Sequence, residues 1–579
     1  MMQRLRLSLL ILFSAVLLLY GCDAGGGHTS IEYTNRAQSH LDEGEHRAAL
    51  IELKNALLKN PDNTQARLLM GQLHVTLGDG ASAEKELLHA SELGVDAEST
   101  QTHLARAYLM QGKFKEISEL VPTSEMTSGT HAELLALRGM ALLNQEKLEE
   151  AEAEFEQALM VDSDSVEATV GLARLAMVRG DGELARQNLE KAFGLDEHDA
   201  AAWSLLGDLE QADGNLAAAE EAYTTASENR VANTEDILNR VIMRIALGQY
   251  DQAATDIKQL KRRGVNIPGI HYVEGRLHFA QQRNQDAQTS FEKVLSLDSQ
   301  NLPVLFYLGA ASFMQESLAQ AEHYLSRFDA RRPDYVPAGK MLAWIKLQKG
   351  DFGEAQRLIQ PVVDKNPEDV FALKLLADAL MRENKTTEGL SYLKQVVALQ
   401  PDSGTARMNL GMGLVISGET SAGIEELEKA EALYPETEVA TIKIIKAHLA
   451  NKSYDEALKA SLAYRENHPE SITAHILLGT SYMMKGDSAN AGKVFEEALV
   501  IEPGNISANS GLAAIALQAG DLDKAKEYYR DAIEKHPGAL APSMNLAAVE
   551  HAQGNLDAMQ DVLNQTIAAN PDALAPRLS

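Results

Sequence analysis

The chain repeats itself every 34 residues, in sixteen consecutive windows that run from Ser30 to Ala573 with no residue inserted or deleted. The eighth position of each window is Gly or Ala, except at Val241 and Ile445, and the twentieth position is Ala in twelve windows. A large apolar residue such as Phe155 commonly follows four positions later. Small residues at a fixed spacing inside a helical pattern are expected where a neighbouring helix approaches closely, so the pattern predicts closely packed helices.

This spacing resembles the tetratricopeptide repeat (TPR), which has a small residue at position 8, Ala at 20, a large apolar residue at 24 and Pro at 32. The segment from Trp203 to Tyr223 shows it most fully, as W-S-L-L-G followed by A-x-x-x-Y. The predicted fold class is therefore all-α, a TPR solenoid forming a right-handed superhelix of about 16 helix-turn-helix repeats. One unit cannot bury its own apolar face, so stacked units share a core, and the first helices form a concave inner face.

The repeat also predicts the domain organisation. Repeat 3, residues 98–131, is irregular because Pro122 falls where its second helix is expected, and proline disrupts a helix interior. We expect a short second helix and a local hinge there. The predicted segments are a lipoprotein signal peptide (1–21), a lipidated N-terminus and short tether (22–29), sixteen repeats (30–573) and a C-terminal tail (574–579).

The N-terminal segment has the proportions of a secretory signal. Arg4 and Arg6 precede an apolar run that is shorter than an ordinary membrane span and ends in Leu-Tyr-Gly-Cys at Cys22. That ending resembles a bacterial lipobox, which implies lipidation of Cys22, the only cysteine of the chain. The alternatives are a cleaved ordinary signal or an uncleaved anchor. The predicted location is the periplasmic side of a bacterial cell envelope, and the resemblance implies that Asp23 favours the inner membrane over the outer membrane.

The sequence contains little that indicates catalysis or cofactor binding. A formal charge of -30 argues against nucleic acid, which requires a basic surface, and clusters such as Arg331-Arg332 are interpreted as solvated loop charges. Gly411 and Gly413 lie inside a repeat helix rather than after a strand, so they do not indicate dinucleotide binding. The histidines form no H-E-x-x-H pair, and no second cysteine exists to complete a zinc site. We predict no enzymatic activity, no catalytic residue, no metal site and no cofactor.

A surface for protein partners is the remaining functional prediction. In TPR proteins, positions 5, 9 and 12 of each repeat project from the first helix into the concave groove, and repeats 8 to 12 are rich in large apolar residues there. The predicted groove residues are Tyr272, Phe279, Phe306, Phe313, Trp344, Met381, Met408 and Met412. They would receive an extended peptide or a helix. The alternative is that they pack between helices, as position 12 is apolar in almost every repeat.

A second predicted contact surface lies at the end of the array. The last helix carries Leu556, Met559, Leu563 and Ile567 at core spacing, and solenoids normally need a polar terminal cap. We therefore expect part of this C-terminal face to meet a partner or a second copy of the chain.

A closer resemblance covers Ala49 to Lys113, with A-L-I-E-L-K-N-A-L-L-K-N-P-D-N, L-G-D-G-A-S-A-E-K-E-L and L-A-R-A-Y-L-M-Q-G-K. This stretch looks like the start of the TPR lipoprotein of exosortase (PEP-CTERM) and exopolysaccharide systems. The resemblance implies a membrane-anchored scaffold for exopolysaccharide export or PEP-CTERM protein sorting. The alternatives are a TPR lipoprotein that assembles an outer-membrane secretion or pilus complex, and a periplasmic peptide-binding chaperone.

The lipidation prediction is tested by Cys22→Ser. We expect the variant to lose incorporation of labelled palmitate and to leave the membrane fraction, because several acyl chains on one residue hold a bilayer far more firmly than a single chain. Palmitate labelling and membrane fractionation measure this. Unchanged labelling in the variant would contradict lipidation of Cys22.

Overall fold

The structure, a computed structural model, describes residues 28–124, 126–263, 267–434 and 437–570. These residues form 32 α-helices and no β-strand, which confirms the predicted all-α fold of paired helices. Cys22 and Asp23, most of the predicted tether and the tail 574–579 lie outside the described residues.

The helices alternate between a first and a second helix of each repeat. The first helices are α1 Ser30–Asp42, α3 Thr64–Thr76, α5 Ala97–Met110, α7 Ser128–Asn144, α9 Val166–Val178, α11 Ala200–Ala212, α13 Thr234–Ala246, α15 Pro268–Ala280, α17 Leu302–Met314, α19 Val336–Lys349, α21 Val370–Arg382, α23 Gly404–Ile416, α25 Glu438–Ala450, α27 Ile472–Lys485, α29 Ile506–Gln518 and α31 Leu540–Ala552. The second helices are α2 His46–Lys59, α4 Gly80–Glu92, α6 Phe114–Glu119, α8 Leu148–Val161, α10 Gly182–Leu195, α12 Leu216–Asn229, α14 Tyr250–Arg262, α16 Asn284–Leu297, α18 Leu318–Asp329, α20 Phe352–Lys365, α22 Thr386–Leu399, α24 Thr420–Leu433, α26 Tyr454–Asn467, α28 Ser488–Ile501, α30 Leu522–Lys535 and α32 Leu556–Ala569.

Local chemistry sets where the helices begin and turn. The last position of several repeats is Asn, Asp or Ser, which caps the next first helix: the side chain of Asn63 accepts a hydrogen bond from the Ala66 N–H at 3.0 Å. Position 15 has a positive φ in every repeat, and it is usually glycine, as at Gly180 with φ 78°. Glu316 adopts the same left-handed turn at φ 59°. The turn between the paired helices is therefore a property of the repeat, and glycine adopts it without steric cost.

In most repeats the core includes a large buried side chain at position 24, and in five repeats that side chain is an aromatic ring. Phe495 is 1% exposed, and a Cβ added at Gly479 of its own repeat or at Gly511 of the next repeat would stand 2.5 Å from its ring. Phe155 lies in the same way between Gly139 and Gly171. In these two repeats, glycine at position 8 admits the ring, and glycine at position 6 of the following repeat closes over it.

Repeat 3 departs from this plan in its second helix. Helix α6 has six residues and ends at Glu119, so Pro122 lies after the helix and not inside it. Ile117 takes the place of the usual alanine at position 20 and is fully buried with Leu104 and Leu134. The repeat thus keeps a core contact although most of the second helix is missing.

The chain divides into two compact units, with the first ending at Ala311 and the second beginning at Ser312. In the second unit, the apolar stripe of α32 is unevenly covered: Leu563 is buried, Met559 and Ile567 are half-buried, and Leu556 is 57% exposed. Among the described residues, no helix combines the length and hydropathy needed to cross a membrane.

The packing of Phe495 is tested by Gly511→Ala. The ring lies between two glycines and cannot move away from an added methyl group, so we expect a local loss of about 1–3 kcal/mol of stability. Native-state hydrogen exchange of the amides in α28 and α29 measures the loss.

The matched control is Gly492→Ala in α28, where the nearest atom to an added Cβ is 4.0 Å away. There the substitution should stabilise the helix by roughly 0.5–1 kcal/mol, because alanine has the higher helix propensity. Equal effects of the two substitutions would contradict the packing described for Phe495.

Candidate partner-binding groove

In the second unit, first helices of successive repeats line a half-open cavity of about 460 Å³. Its apolar walls come from Trp344 on α19, Phe371 and Met381 on α21, and Met412 and Ile416 on α23. Phe371 and Ile416 are 50% and 67% exposed. Large side chains that remain this accessible along a cleft can bury apolar groups of a ligand.

A second cavity of about 320 Å³ adjoins the first, because Trp344 and Phe371 line both. Phe313 lies on its far side, with its ring centroid 5.1 Å from that of Trp344 and the two planes at 76°. This edge-to-face geometry is favourable for aromatic rings and fixes the orientation of Trp344. Trp344 is therefore the residue that joins the two cavities.

The helical register explains why these residues meet. Side chains lining the larger cavity from α19, α21 and α23 occupy mainly positions 2, 5, 6, 9, 12 and 13 of their repeats. Those spacings of three and four residues define one face of a helix. Position 8 lies beside this face and packs in the core, as Ala343 does with no exposed surface. We call the face at positions 2, 5, 6, 9, 12 and 13 the inner face.

All eight predicted groove residues are half-buried. Trp344, Met381 and Met412 line the larger cavity, and Phe313 lines the smaller one. Met408 and Met412 both pack against the buried side chains of a core cluster around Leu427, and of the two only Met412 also lines the larger cavity. Cavity formation thus involves four of the five predicted residues that lie in the second unit.

Sequence profiles of the tetratricopeptide repeat match the chain over more than half of its length. One profile matches residues 136–192, 170–230, 272–336, 340–403, 374–436 and 442–506, and a second matches 40–101 and 516–578. The chain belongs to the tetratricopeptide repeat family. Proteins built from this repeat bind other proteins, and the fold described above makes this TPR chain a scaffold for protein–protein interaction.

Two curated relatives carry related repeats. The cellulose synthase 2 operon protein C of Komagataeibacter xylinus is 26% identical over 218 residues, which are 37% of this chain and 15% of that protein. The cellulose synthase 1 operon protein C of the same organism is 22% identical over 263 residues, 39% of this chain and 18% of that protein. The TPR chain therefore spans less than a fifth of the length of these relatives.

Among solved structures, yeast Tom70 is similar, with 15% sequence identity and a TM-score of 0.35. The match covers 77% of this TPR chain and 96% of Tom70.

The other three predicted groove residues form a packed aromatic cluster in the first unit of the TPR chain. Tyr272, Phe279 and Phe306 each contact the ring of Tyr307, at centroid distances of 6.2, 5.6 and 5.5 Å. Tyr307 in turn stacks on Phe291 at 5.3 Å. In this cluster the three predicted groove residues therefore pack against other aromatic rings.

Tyr307 is the residue that the sequence analysis missed. It occupies position 6 of its repeat, where Gly171 and Gly511 close over the core rings Phe155 and Phe495 in other repeats. A tyrosine at a position that elsewhere holds glycine beside a ring was the available signal.

The first unit of the TPR chain also has a cavity of about 990 Å³, whose lining includes the polar residues Gln72, His103, Arg106, Glu133 and Arg230. Arg106 donates from Nε to Glu133 and from Nη2 to Glu167, each at 2.8 Å. Burial and the neighbouring Arg106 lower the pKa of His103. The paired charges link repeats 3, 4 and 5 through their first helices, and the sequence pattern did not reveal them.

Near the N-terminus, His40, Glu43 and Glu45 bring ligand atoms within 4.8 Å of one another. His40 already pairs with Glu45 at 2.8 Å, and both carboxylates are exposed. This trio is a solvated charge cluster.

Asp199 gives the first unit a pH-dependent stability. Its carboxylate caps α11 by accepting the Ala202 N–H at 2.6 Å, and burial, with a smaller contribution from the Glu167 charge, raises its pKa. A raised pKa in the folded state means that the stability contribution present at low pH is lost as the pH rises through that pKa. Ionised Asp199 therefore weakens the folded repeat at neutral pH.

We predict that Asp199→Asn raises the local stability of α11 at neutral pH, because asparagine keeps the cap and removes the charge. The gain should fade as the pH approaches 3.8, the ordinary pKa of an aspartate. Hydrogen exchange of the α11 amides across this range, corrected for intrinsic rates, measures it.

The control for this pH dependence is Asp369→Asn, which alters a cap of the same kind on α21. Burial alone would raise the pKa of Asp369, but hydrogen bonds from Lys340 and the Ala372 N–H outweigh it and lower the pKa. The control should lose stability at neutral pH and recover the wild-type value in acid. The same sign of change in both variants would contradict the assigned cause.

Proposed function

We propose that this protein is a membrane-anchored periplasmic TPR scaffold that holds a partner protein at the groove around Trp344, in exopolysaccharide export or in exosortase-dependent sorting of PEP-CTERM proteins. The observation that carries the proposal is the pair of adjoining cavities on the inner face of the second unit, with Trp344 and Phe371 shared between them. Residues that served only to pack the core would not border a half-open cleft.

The groove has the composition of a protein-binding site. Trp344, Phe371 and Phe313 supply rigid rings, while Met381 and Met412 supply flexible side chains that adapt to different ligand shapes. A peptide or a helix that buries apolar side chains here would gain most of its binding free energy from these few contacts.

The process is supported by two kinds of similarity. Both curated relatives are named as cellulose synthase operon proteins, and cellulose is an exopolysaccharide. The stretch from Ala49 to Lys113 resembles the lipoproteins of exosortase and exopolysaccharide systems. The lipobox-like ending at Cys22 supports an anchored, periplasmic location.

The groove is tested by combining Phe313→Ala with Trp344→Ala. We expect this double variant to keep its helical circular dichroism spectrum and to weaken partner binding roughly 30-fold or more, because aromatic anchors in such sites are worth about 2 kcal/mol or more. In-cell cross-linking followed by quantitative pull-down from the envelope fraction measures the partner.

The matched control is Val500→Ala, which shortens an apolar side chain that is 83% exposed and lies on α28, a second helix outside the inner face. It should leave the captured partner unchanged. If the double variant also retains every cross-linked partner, Trp344 and Phe313 belong to the core and not to a binding groove.

A periplasmic chaperone is the competing function, because half-exposed Phe371 and Ile416 would also suit unfolded clients. A scaffold captures one partner in a fixed ratio, whereas a chaperone suppresses the aggregation of unrelated unfolded proteins. An aggregation assay with such proteins separates the two.

A further inference from the structure

The inner face of repeats 10 to 13 is predominantly basic, whereas the chain as a whole is acidic. The whole protein has 53 Lys and Arg against 83 Asp and Glu. The inner-face positions of α19, α21, α23 and α25 carry one acidic residue, Asp378, and these basic residues: Lys340, Lys374, Arg382, Lys443 and Lys446. A cationic, apolar strip within an acidic chain indicates a ligand of opposite charge.

Two of these cations are already neutralised. Lys340 pairs with Asp369, and the Arg382 Nε lies 2.9 Å from a carboxylate oxygen of Asp378. Lys374, Lys443 and Lys446 make no ion pair with any residue in the described part of the chain. Three ammonium groups on this face therefore have no ion-pair partner within the described ranges, since Asp378, which lines the same cavity as Lys374, pairs with Arg382.

Lys374 is the most informative of the three. It is half-buried and lines the same cavity as Trp344, Phe371 and Met412. An ammonium group beside apolar walls has lost part of its hydration, so a carboxylate brought by a ligand would interact with it more strongly than at an open surface.

Lys443 and Lys446 extend the positive strip beyond the cavity. They occupy positions 6 and 9 of α25, the positions that Asn409 and Met412 hold on α23, and α23 contacts α25. Lys443 is half-buried and Lys446 is exposed. The strip therefore runs from the cavity to the next repeat along the same face.

We propose that the occupant of this groove is a segment of a partner protein that combines apolar and acidic side chains. Its apolar groups fill the cavities at Trp344, and its carboxylates pair with Lys374, Lys443 and Lys446. This inference rests on the proposed function and adds the chemistry of the partner. An acidic polysaccharide would satisfy the lysines, but it has no apolar side chains to fill the cavity walls.

The experiment selects ligands from a phage-displayed library of random peptides on the purified full-length protein. We expect the selected peptides to be enriched in large apolar residues and in Asp or Glu. The best peptide is then synthesised with an amidated C-terminus, together with a version in which Gln replaces every acidic residue. Fluorescence anisotropy should show at least about tenfold tighter binding of the acidic version.

The variants are Lys374→Glu and Lys374→Gln, with Lys459→Glu as the matched control. Lys459 is an exposed lysine on α26 of the same unit, away from the inner face. Both Lys374 variants should weaken the acidic peptide about tenfold or more and leave the Gln peptide nearly unchanged, whereas Lys459→Glu should change neither. The glutamine variant keeps the test valid if the charge reversal disturbs folding.

Each contrary result has a distinct meaning. If selection yields apolar peptides without acidic residues, and their binding depends on Trp344 and Phe313 but not on Lys374, the groove stands and the acidic partner is wrong. If no selected peptide depends on Trp344 and Phe313, the groove itself is wrong. If polyglucuronate binds with dependence on Lys374 and without dependence on Trp344, the strip serves an acidic polymer and this inference is overturned.

Discussion

Close packing of a large side chain at position 24 against small residues of the first helices is the contact on which the rest of the structure depends. Phe155 and Phe495 each lie between a glycine of their own first helix and a glycine of the next first helix. The ring thereby joins two repeats, and its burial cannot be completed by one repeat alone. The first helix can approach the ring this closely because position 8 is glycine in both repeats, and an added Cβ there would overlap the ring.

The packing also decides which surface is available for function. Because position 8 and its neighbours face the core, positions 2, 5, 6, 9, 12 and 13 of the same helices remain on the inner face. Whether that face becomes a groove then depends on the size of a few residues. Around repeats 8 and 9 of the first unit, Tyr307 fills position 6 and gathers Tyr272, Phe279 and Phe306 into a cluster. In the second unit, Trp344 and Phe371 border open cavities instead.

Electrostatics separates the two inner faces in the same way. In the first unit, Arg106 is satisfied by Glu133 and Glu167, so the charges join neighbouring repeats and serve the fold. In the second unit, Lys374 lines an apolar cavity without an ion-pair partner among the described residues. Internally satisfied charges stabilise a scaffold, whereas an uncompensated charge in a cleft favours binding to something else.

The sequence by itself determined the paired helices, their 34-residue register and the small residues at which neighbouring helices pack closely. All of these follow from local periodicity and from small residues at fixed spacing, which a single chain displays directly. It also predicted Phe313, Trp344, Met381 and Met412 as residues of the inner face, since their positions recur in every repeat. Only the tertiary structure decided that Met408 lines neither of the two adjoining cavities, that Tyr307 closes the aromatic cluster and that Lys374 lines a cavity. Those outcomes depend on the volumes and charges of side chains from neighbouring repeats. The repeat pattern gives the position of each side chain but does not show which side chains of adjacent repeats meet.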